Sequence, residues 1–169
     1  WRQADRYRVP RVAFVNKMDR VGARFAGVVD QIRAKLKANP VPVQIPLGRE
    51  DSFAGVVDLV RLKAYRYLDE SLGAEYREEP IPDDYRGEVE ECRERLLEAV
   101  AETSEDLLDI YLSEGDLEVE QIQRGLRTGT LGGLIVPVLC GAAFKNKGVQ
   151  PLLDAVVDYL PSPSDVPPI

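Results

Sequence analysis

Val12-Ala13-Phe14-Val15-Asn16-Lys17-Met18-Asp19 is the stretch on which the fold turns. Pro10 ends the polar helical segment of residues 1–8 that precedes it. Four apolar residues in a row then suit a short strand buried on both faces, as in a parallel sheet. Asn16–Asp19 lies at its carboxyl end. Downstream, Val28, Val29, Ile32 and Leu36 recur near helical spacing, so a helix is expected from about Phe25 to Ala38. Asn39-Pro40 stops it. Val41-Pro42-Val43-Gln44-Ile45-Pro46 alternates as a strand, and its prolines favour an edge or a strand end over a central place. The result is a strand–helix–strand unit.

A matching segment closes the chain. Leu134-Ile135-Val136-Pro137-Val138-Leu139-Cys140 reads as another buried strand, with Gly141-Ala142-Ala143-Phe144-Lys145-Asn146-Lys147-Gly148 as the loop at its end. Val149, Leu152, Leu153, Val156, Val157 and Leu160 mark an amphipathic helix, Pro161-Ser162-Pro163 ends it, and Val166-Pro167-Pro168-Ile169 reads as a linker. Between the two units the pattern changes. Val56–Val60 and Ala64–Leu68 read as consecutive short strands, and Pro80, Pro82 and Asp83-Asp84 as a break. Helices follow at about Glu88–Ala101, with Val89, Cys92, Leu96, Ala99 and Val100 on one face, and around Leu107, Leu108, Ile110 and Tyr111. Thr103 followed by Asp106 resembles the N-terminal cap of the latter, and Gly115 ends it. A third helix spans about Val119–Thr128, with Ile122 and Leu126 inward. The two sheet segments can pair only if the region of roughly residues 62–133 loops out.

Charge follows the same division. Residues 69–120 hold 20 acidic and four basic side chains, a net of −16, whereas residues 1–68 hold 14 basic and six acidic, a net of +8. A solvated, helix-rich surface accounts for the acidic block; the functional alternative is a face that repels nucleic-acid backbone and meets a protein partner. With 44% apolar and 30% charged residues, the balance is that of a globular domain. No apolar run approaches the roughly 20 residues of a membrane-spanning helix, and no signal peptide is visible at Trp1-Arg2-Gln3-Ala4-Asp5. The absence of histidine excludes the usual zinc sites and histidine-based triads. Cys92 and Cys140 sit in unlike contexts, which fits a reducing cytoplasm better than a disulfide framework.

In open α/β sheets, ligands bind at the carboxyl ends of the strands. Asn16–Asp19 and Gly141–Lys145 both lie there. Asn-Lys-x-Asp after a buried strand, with a small-residue loop after a later one, is the guanine-reading arrangement of GTPases. A carboxylate at Asp19 can accept from the paired N1–H and N2 donors of guanine, which adenine lacks. An unpaired buried charge costs roughly 2–5 kcal/mol, enough for strong discrimination. Lys17 can lay its methylene stem over the base. Asn16 can tie the loop to neighbouring backbone, and the loop at Ala142-Ala143 can offer N–H groups to the base oxygen. The plain alternatives are that Asp19 caps the following helix and that Lys145, which could cover the base edge, is a surface lysine.

Val15–Arg20, Phe144-Lys145-Asn146-Lys147-Gly148-Val149-Gln150 and Asp158–Pro163 resemble bacterial elongation factor G. So do Ile45-Pro46, Gly55–Val60 and Gly129-Thr130-Leu131, so the resemblance covers essentially the whole chain. It implies an α/β fold: part of a P-loop GTPase (G domain) sheet carrying an inserted α+β G′ subdomain. The implied division is residues 1–61 for the Asn-Lys-x-Asp part, 62–133 for the acidic G′ insert, and 134–169 for the second guanine-binding loop and exit linker. The implied nucleotide site is Asn16, Lys17, Asp19, Gly141, Ala142, Ala143, Phe144 and Lys145, taking GTP or GDP. The family usually has serine where Ala142 stands, so a loop-stabilising hydroxyl is lost. The chain contains no phosphate-binding loop, no switch threonine for magnesium and no Asp-x-x-Gly-His switch. The resemblance puts these upstream of residue 1, so no catalytic or metal-binding residue is expected here, and the piece alone is expected to be inactive. It further implies a cytoplasmic ribosomal translocase whose insert meets the stalk proteins of the large subunit, with RNA contacts mainly by other parts of the parent. A specialised paralogue, a ribosome-protection relative, or a standalone interaction module on a degenerate GTPase fold are the alternatives.

Overall fold

The computed structural model describes residues 1–68, 73 and 75–165. In chain order its elements are α1 (Arg2–Arg6), β1 (Ala13–Val15), α2 (Phe25–Leu36), β2 (Pro40–Pro42), β3 (Gln44–Leu47), β4 (Gly55–Asp58), β5 (Lys63–Tyr67), β6 (Tyr76–Glu79), α3 (Arg86–Ala101), α4 (Glu105–Glu114), α5 (Val119–Leu131), β7 (Val136–Cys140) and α6 (Val149–Tyr159). The α/β class expected from the sequence is the one observed. The proposed linker at 166–169 lies outside the described residues, as do residues 69–72 and 74 of the acidic block.

Three strands form a parallel sheet in the order β1-β7-β2. All five residues of β7 are buried, as a continuous apolar run in a parallel sheet should be. In β1 only Val15 is buried, while Ala13 and Phe14 are half-buried, because β1 forms one edge of this sheet. Pro137 occupies the central strand, where a proline normally breaks the ladder. The Val136 N–H donates to Asn39 on the β2 side, so the missing donor of Pro137 falls on the β1 side. Pairing with β1 starts one residue later, at Ala13 opposite Val138, and no ladder bond is lost.

The segment that reads as one strand at Val41–Pro46 is two strands in two sheets. β2 pairs with β7, whereas β3 begins an antiparallel meander in the order β3-β4-β5-β6. Val43 is the joint: its N–H donates to Val138 O at 3.0 Å, and its carbonyl accepts from Leu59 N at 3.0 Å. The meander places strands from both sides of residue 61 in one sheet. β6 has no apolar alternation, and its sequence reads only as the approach to a break. It forms because β5 supplies partners across the sheet: Lys63 Nζ meets Glu78 at 2.6 Å, Arg66 Nε meets Glu79 at 2.8 Å, and the Tyr65 and Tyr76 rings pack edge-on at 5.3 Å.

The helices mostly bury the faces their spacing predicts. α2 buries Phe25, Val29 and Ile32, and Lys37 ends it in the left-handed conformation, while Val28 and Leu36 remain partly exposed. In α3 the inward face is Val89, Leu96, Leu97, Val100 and Ala101. Thr103 is not the cap of α4. Ser104 takes the cap position in extended conformation, and the Thr103 hydroxyl instead donates to Val100 O at 2.6 Å, closing the end of α3. Gly115 ends α4 at φ 76°. α5 is capped by Glu118, whose N–H donates to the Gln121 side chain at 2.7 Å. In α6 the buried positions are Ala155 and Tyr159, and the apolar residues Leu153 and Val157 face outward. Both cysteines are free, Cys140 buried and Cys92 half-buried.

α5 packs against α3 through glycine. A Cβ on Gly125 would lie 2.5 Å from Val100 Cγ1 and 2.9 Å from Leu107 Cδ1. Gly125→Val should therefore overpack this contact and destabilise the fold by about 1–3 kcal/mol. Gly27 in α2 meets nothing nearer than 3.7 Å. Gly27→Ala should have the opposite sign, a gain of about 0.5–1 kcal/mol from helix propensity. Urea denaturation of the two variants measures both.

Candidate nucleotide-binding site

The two loops singled out in the sequence meet at one end of the parallel sheet. β1 and β7 run parallel with Val15 opposite Cys140, so Asn16 and Gly141 leave the sheet side by side. Backbone bonds stitch them together: Gly141 N donates to Val15 O and Met18 N to Gly141 O, each at 3.0 Å. Met18 is buried and anchors the first loop, while Asn16 and Lys17 are exposed. Lys17 adopts φ 64°, a left-handed conformation uncommon for a residue with a side chain. That turn lets residues 16 and 17 rise out of the sheet while Met18 drops back onto Gly141.

Asn16 bridges the loops. Its Oδ1 accepts from Lys17 N at 2.8 Å and from Ala143 N at 3.0 Å, a contact across 127 residues of chain. Asp19 Oδ2 lies 3.0 Å from Lys145 Nζ, so each loop also contributes one member of an ion pair. That contact with Lys145 is the largest influence on Asp19 and holds its carboxyl below the ordinary value of 3.8. The helix-cap alternative for Asp19 finds no support, since Arg24 occupies the cap position of α2.

Two backbone positions shape the second loop. A Cβ at Gly141 would fall 2.4 Å from Lys147 O and 2.6 Å from the Phe14 ring, so only glycine fits. Gly148 has φ 85°, and a Cβ there would fall 2.6 Å from Cys140 O. Between them the loop makes a tight excursion: Ala142 N donates to Lys147 O at 2.9 Å, Ala143–Lys145 forms a 3₁₀ turn, and Asn146 closes it at φ 56°. Ala142, where the family resemblance leads one to expect serine, is buried. Phe144 points fully into solvent. Lys147 does not stand out in the sequence, yet it is buried and donates to Phe53 O at 3.2 Å, tying this loop to the turn before β4. Glu50 is equally inconspicuous; its carboxylate accepts from Gly22 N at 2.8 Å just past the first loop. Neither has a local signal, since both partners are distant in sequence.

The eight residues named from the sequence thus lie on two adjacent loops at the strand carboxyl ends, with a carboxylate and two lysines on their exposed side. Their donor set is compatible with a base that presents paired N–H donors to Asp19. An oxygen of such a base would compete with Asn16 Oδ1 for the Ala143 N–H, because the Ala142 N–H is already committed.

A parallel sheet with its loops so arranged, joined to an antiparallel sheet and a helical insert, defines the mixed α/β architecture of a GTPase G domain carrying an inserted subdomain. The chain belongs to the elongation factor Tu GTP binding domain family, whose model matches residues 1–162, and is part of a GTP-binding domain of elongation-factor type. It is also similar to a crystal structure of a protein from Thermus thermophilus, with 32% sequence identity and a TM-score of 0.85 over 98% of this chain. The chain spans 24% of the length of that protein. Among the described residues no helix is long and apolar enough to cross a membrane.

Two measurements probe the loop geometry. Asn16→Ala should weaken the tie between the loops by about 0.5–1.5 kcal/mol and speed hydrogen exchange at the Ala143 amide. Lys145→Met should return the Asp19 carboxyl toward 3.8, read by carboxyl-carbon NMR titration. Because the folded-state value is depressed, the ion pair stabilises the loops above the ordinary carboxylate range and is lost as pH falls through the lower folded value.

Proposed function

We propose that this chain is the guanine-reading part of a ribosomal translocase GTPase of the elongation factor G type. The observation that carries the reading is the Asn16 bridge to Ala143 N, which brings Asp19 and the Gly141–Lys145 loop to one place at the strand ends. Asp19 accepts the paired donors of guanine once Lys145 yields it. Lys17 covers one face of the base with its stem, Asn16 keeps the two loops in register, and Phe144 and Lys145 flank the base from the second loop. Phosphate and magnesium ligands belong to other parts of the parent protein, as does hydrolysis.

Residues 62–133 are proposed as the G′ insert and the acidic face as its meeting surface with large-subunit stalk proteins. What supports this is charge: the helices α3 to α5 carry half of the acidic side chains of the block, and a surface of that sign turns away from RNA phosphates. The outward apolar residues Leu153 and Val157 on α6 suit burial against further segments of the same parent.

In the full-length protein, Asp19→Asn should lower GDP affinity by at least ~30-fold, the low end of the cost of mispairing a buried charged hydrogen bond. Xanthosine diphosphate, which presents an acceptor where guanine has its amine, should bind the variant better than it binds the wild type. Equilibrium titration of both nucleotides against both proteins decides the matter. An unchanged preference would remove Asp19 from the base site.

A further inference from the structure

The hairpin loop between β3 and β4, residues 48–54, touches both nucleotide loops. Its own shape is closely determined. Ala54 N donates to Leu47 O at 2.8 Å across its base, and inside it Ser52 N donates to Arg49 O and Phe53 N to Glu50 O, each at 2.9 Å. Gly48 has φ 86°, and a Cβ there would collide with the Ser52 carbonyl. Gly48 N donates to the Tyr85 hydroxyl at 2.8 Å, which fixes the loop to the start of α3. Two bonds then leave it for the nucleotide loops. The Glu50 carboxylate accepts from Gly22 N at 2.8 Å, and Phe53 O accepts from Lys147 Nζ at 3.2 Å.

Glu50 is the unusual member of this loop. Its φ of 51° lies in the left-handed region, which glycine or asparagine occupies at less cost. Other residues stay there only where their surroundings over-determine them, and such residues cluster at functional sites. Lys17 at φ 64° and Asn146 at φ 56°, one in each nucleotide loop, share the conformation. In it, the Glu50 carboxylate reaches Gly22 N, three residues past Asp19. The entry to that stretch is fixed separately, by Met18 N on Gly141 O at 3.0 Å. Between the two anchors, Arg20 N donates to Lys17 O at 3.1 Å and Ala23 N to Arg20 O at 3.0 Å, so residues 17–23 form two linked turns. Asp19 therefore hangs between an anchor on Gly141 and an anchor on Glu50. With the second released, the turns can pivot about Met18 and carry Asp19 away from its partner Lys145.

We propose that Glu50 is a positioning residue for base recognition: it holds the exit of the first nucleotide loop so that the Asp19 carboxylate faces the base. Glu50 itself touches no nucleotide. This inference rests on the reading of Asp19 as the acceptor for guanine, and adds the residue that aims it.

The test uses the full-length protein and three variants, Glu50→Gln, Glu50→Asn and Glu50→Gly. All three remove the charge, so differences among them report the bond to Gly22. Glutamine keeps both the length and an acceptor oxygen, asparagine is one methylene short, and glycine has no side chain. Glu50→Asn and Glu50→Gly should weaken GDP binding about three- to tenfold, the effect of losing one hydrogen bond, and Glu50→Gln should restore most of it. Exchange of the Gly22 amide should quicken in the same two variants, and their Asp19 carboxyl should titrate closer to 3.8 than in Glu50→Gln. Asparagine and glycine suit the left-handed backbone better than glutamate does, so the urea midpoint should hold or rise while affinity falls. Opposite movement of stability and affinity is what a merely structural residue would not give. Unchanged GDP affinity in Glu50→Asn and Glu50→Gly would overturn the proposal, as would a Glu50→Gln variant equally weak, or a loss of affinity matched by a loss of stability. Failure of the guanine reading shows elsewhere, as a nucleotide preference that Asp19→Asn leaves unaltered, and this inference falls with it. A preference that does switch in Asp19→Asn, beside unaltered affinity in Glu50→Asn, overturns this inference alone.

Discussion

Strand β7 is the constraint on which the molecule depends. It pairs in parallel with β1 on one side and β2 on the other, and both partners precede it by about a hundred residues or more. The ladder can form only after the intervening insert has folded back and brought residue 136 beside residue 40. Loop closure over such a span grows only slowly with length, so the thermodynamic cost is modest. The long-range pairing bears more on folding rate, which falls as contacting residues lie further apart in sequence. The buried run Val136–Cys140 offsets that cost, since each of its side chains leaves water on closure.

The two nucleotide loops inherit their geometry from this strand. Parallel pairing puts Asn16 next to Gly141, and the glycine permits Lys147 O and the Phe14 ring to approach where a Cβ would stand. Asn16 then reaches Ala143 N, and Lys145 reaches Asp19. The insert is held to the same frame by two of its arginines. Arg93 of α3 donates to Leu59 O at 2.6 Å and to Val60 O at 3.2 Å. Arg127 of α5 donates to Asp158 O and Leu160 O and pairs with Asp165, which binds the carboxyl end of α6 to the insert. These bonds complete backbone carbonyls that the helix end and the turn leave open. They also set the direction in which the chain leaves α6.

The identity and class of the main elements were legible because the hydrophobic period is local. Val12–Val15 and Leu134–Cys140 read as strands, although only the second proved buried along the length of its strand, Val136–Cys140, and α2, α3 and α5 each announce an inward face. Where reading failed, the deciding partner was remote. The apparent single strand at Val41–Pro46 divides because Val43 is claimed by Val138 and Leu59 together. β6 is Tyr76 followed by three charged residues and exists through its pairing with β5. Thr103 looks like a helix cap by spacing, but its hydroxyl finds the nearer Val100 carbonyl. α6 has apolar residues around more than one face, so periodicity alone could not say that Ala155 and Tyr159 turn inward.

By itself, then, the sequence determined the strand and helix types, the acidic block between them, and the residue kinds at the two loops. These follow from side-chain chemistry and spacing along a few turns of chain. Tertiary structure alone decided that the chain changes sheets at Val43, that Lys145 pairs with Asp19, and that Gln44 is buried with its carbonyl unmet. Each of those depends on which distant backbone arrives alongside, and no local pattern encodes that arrival.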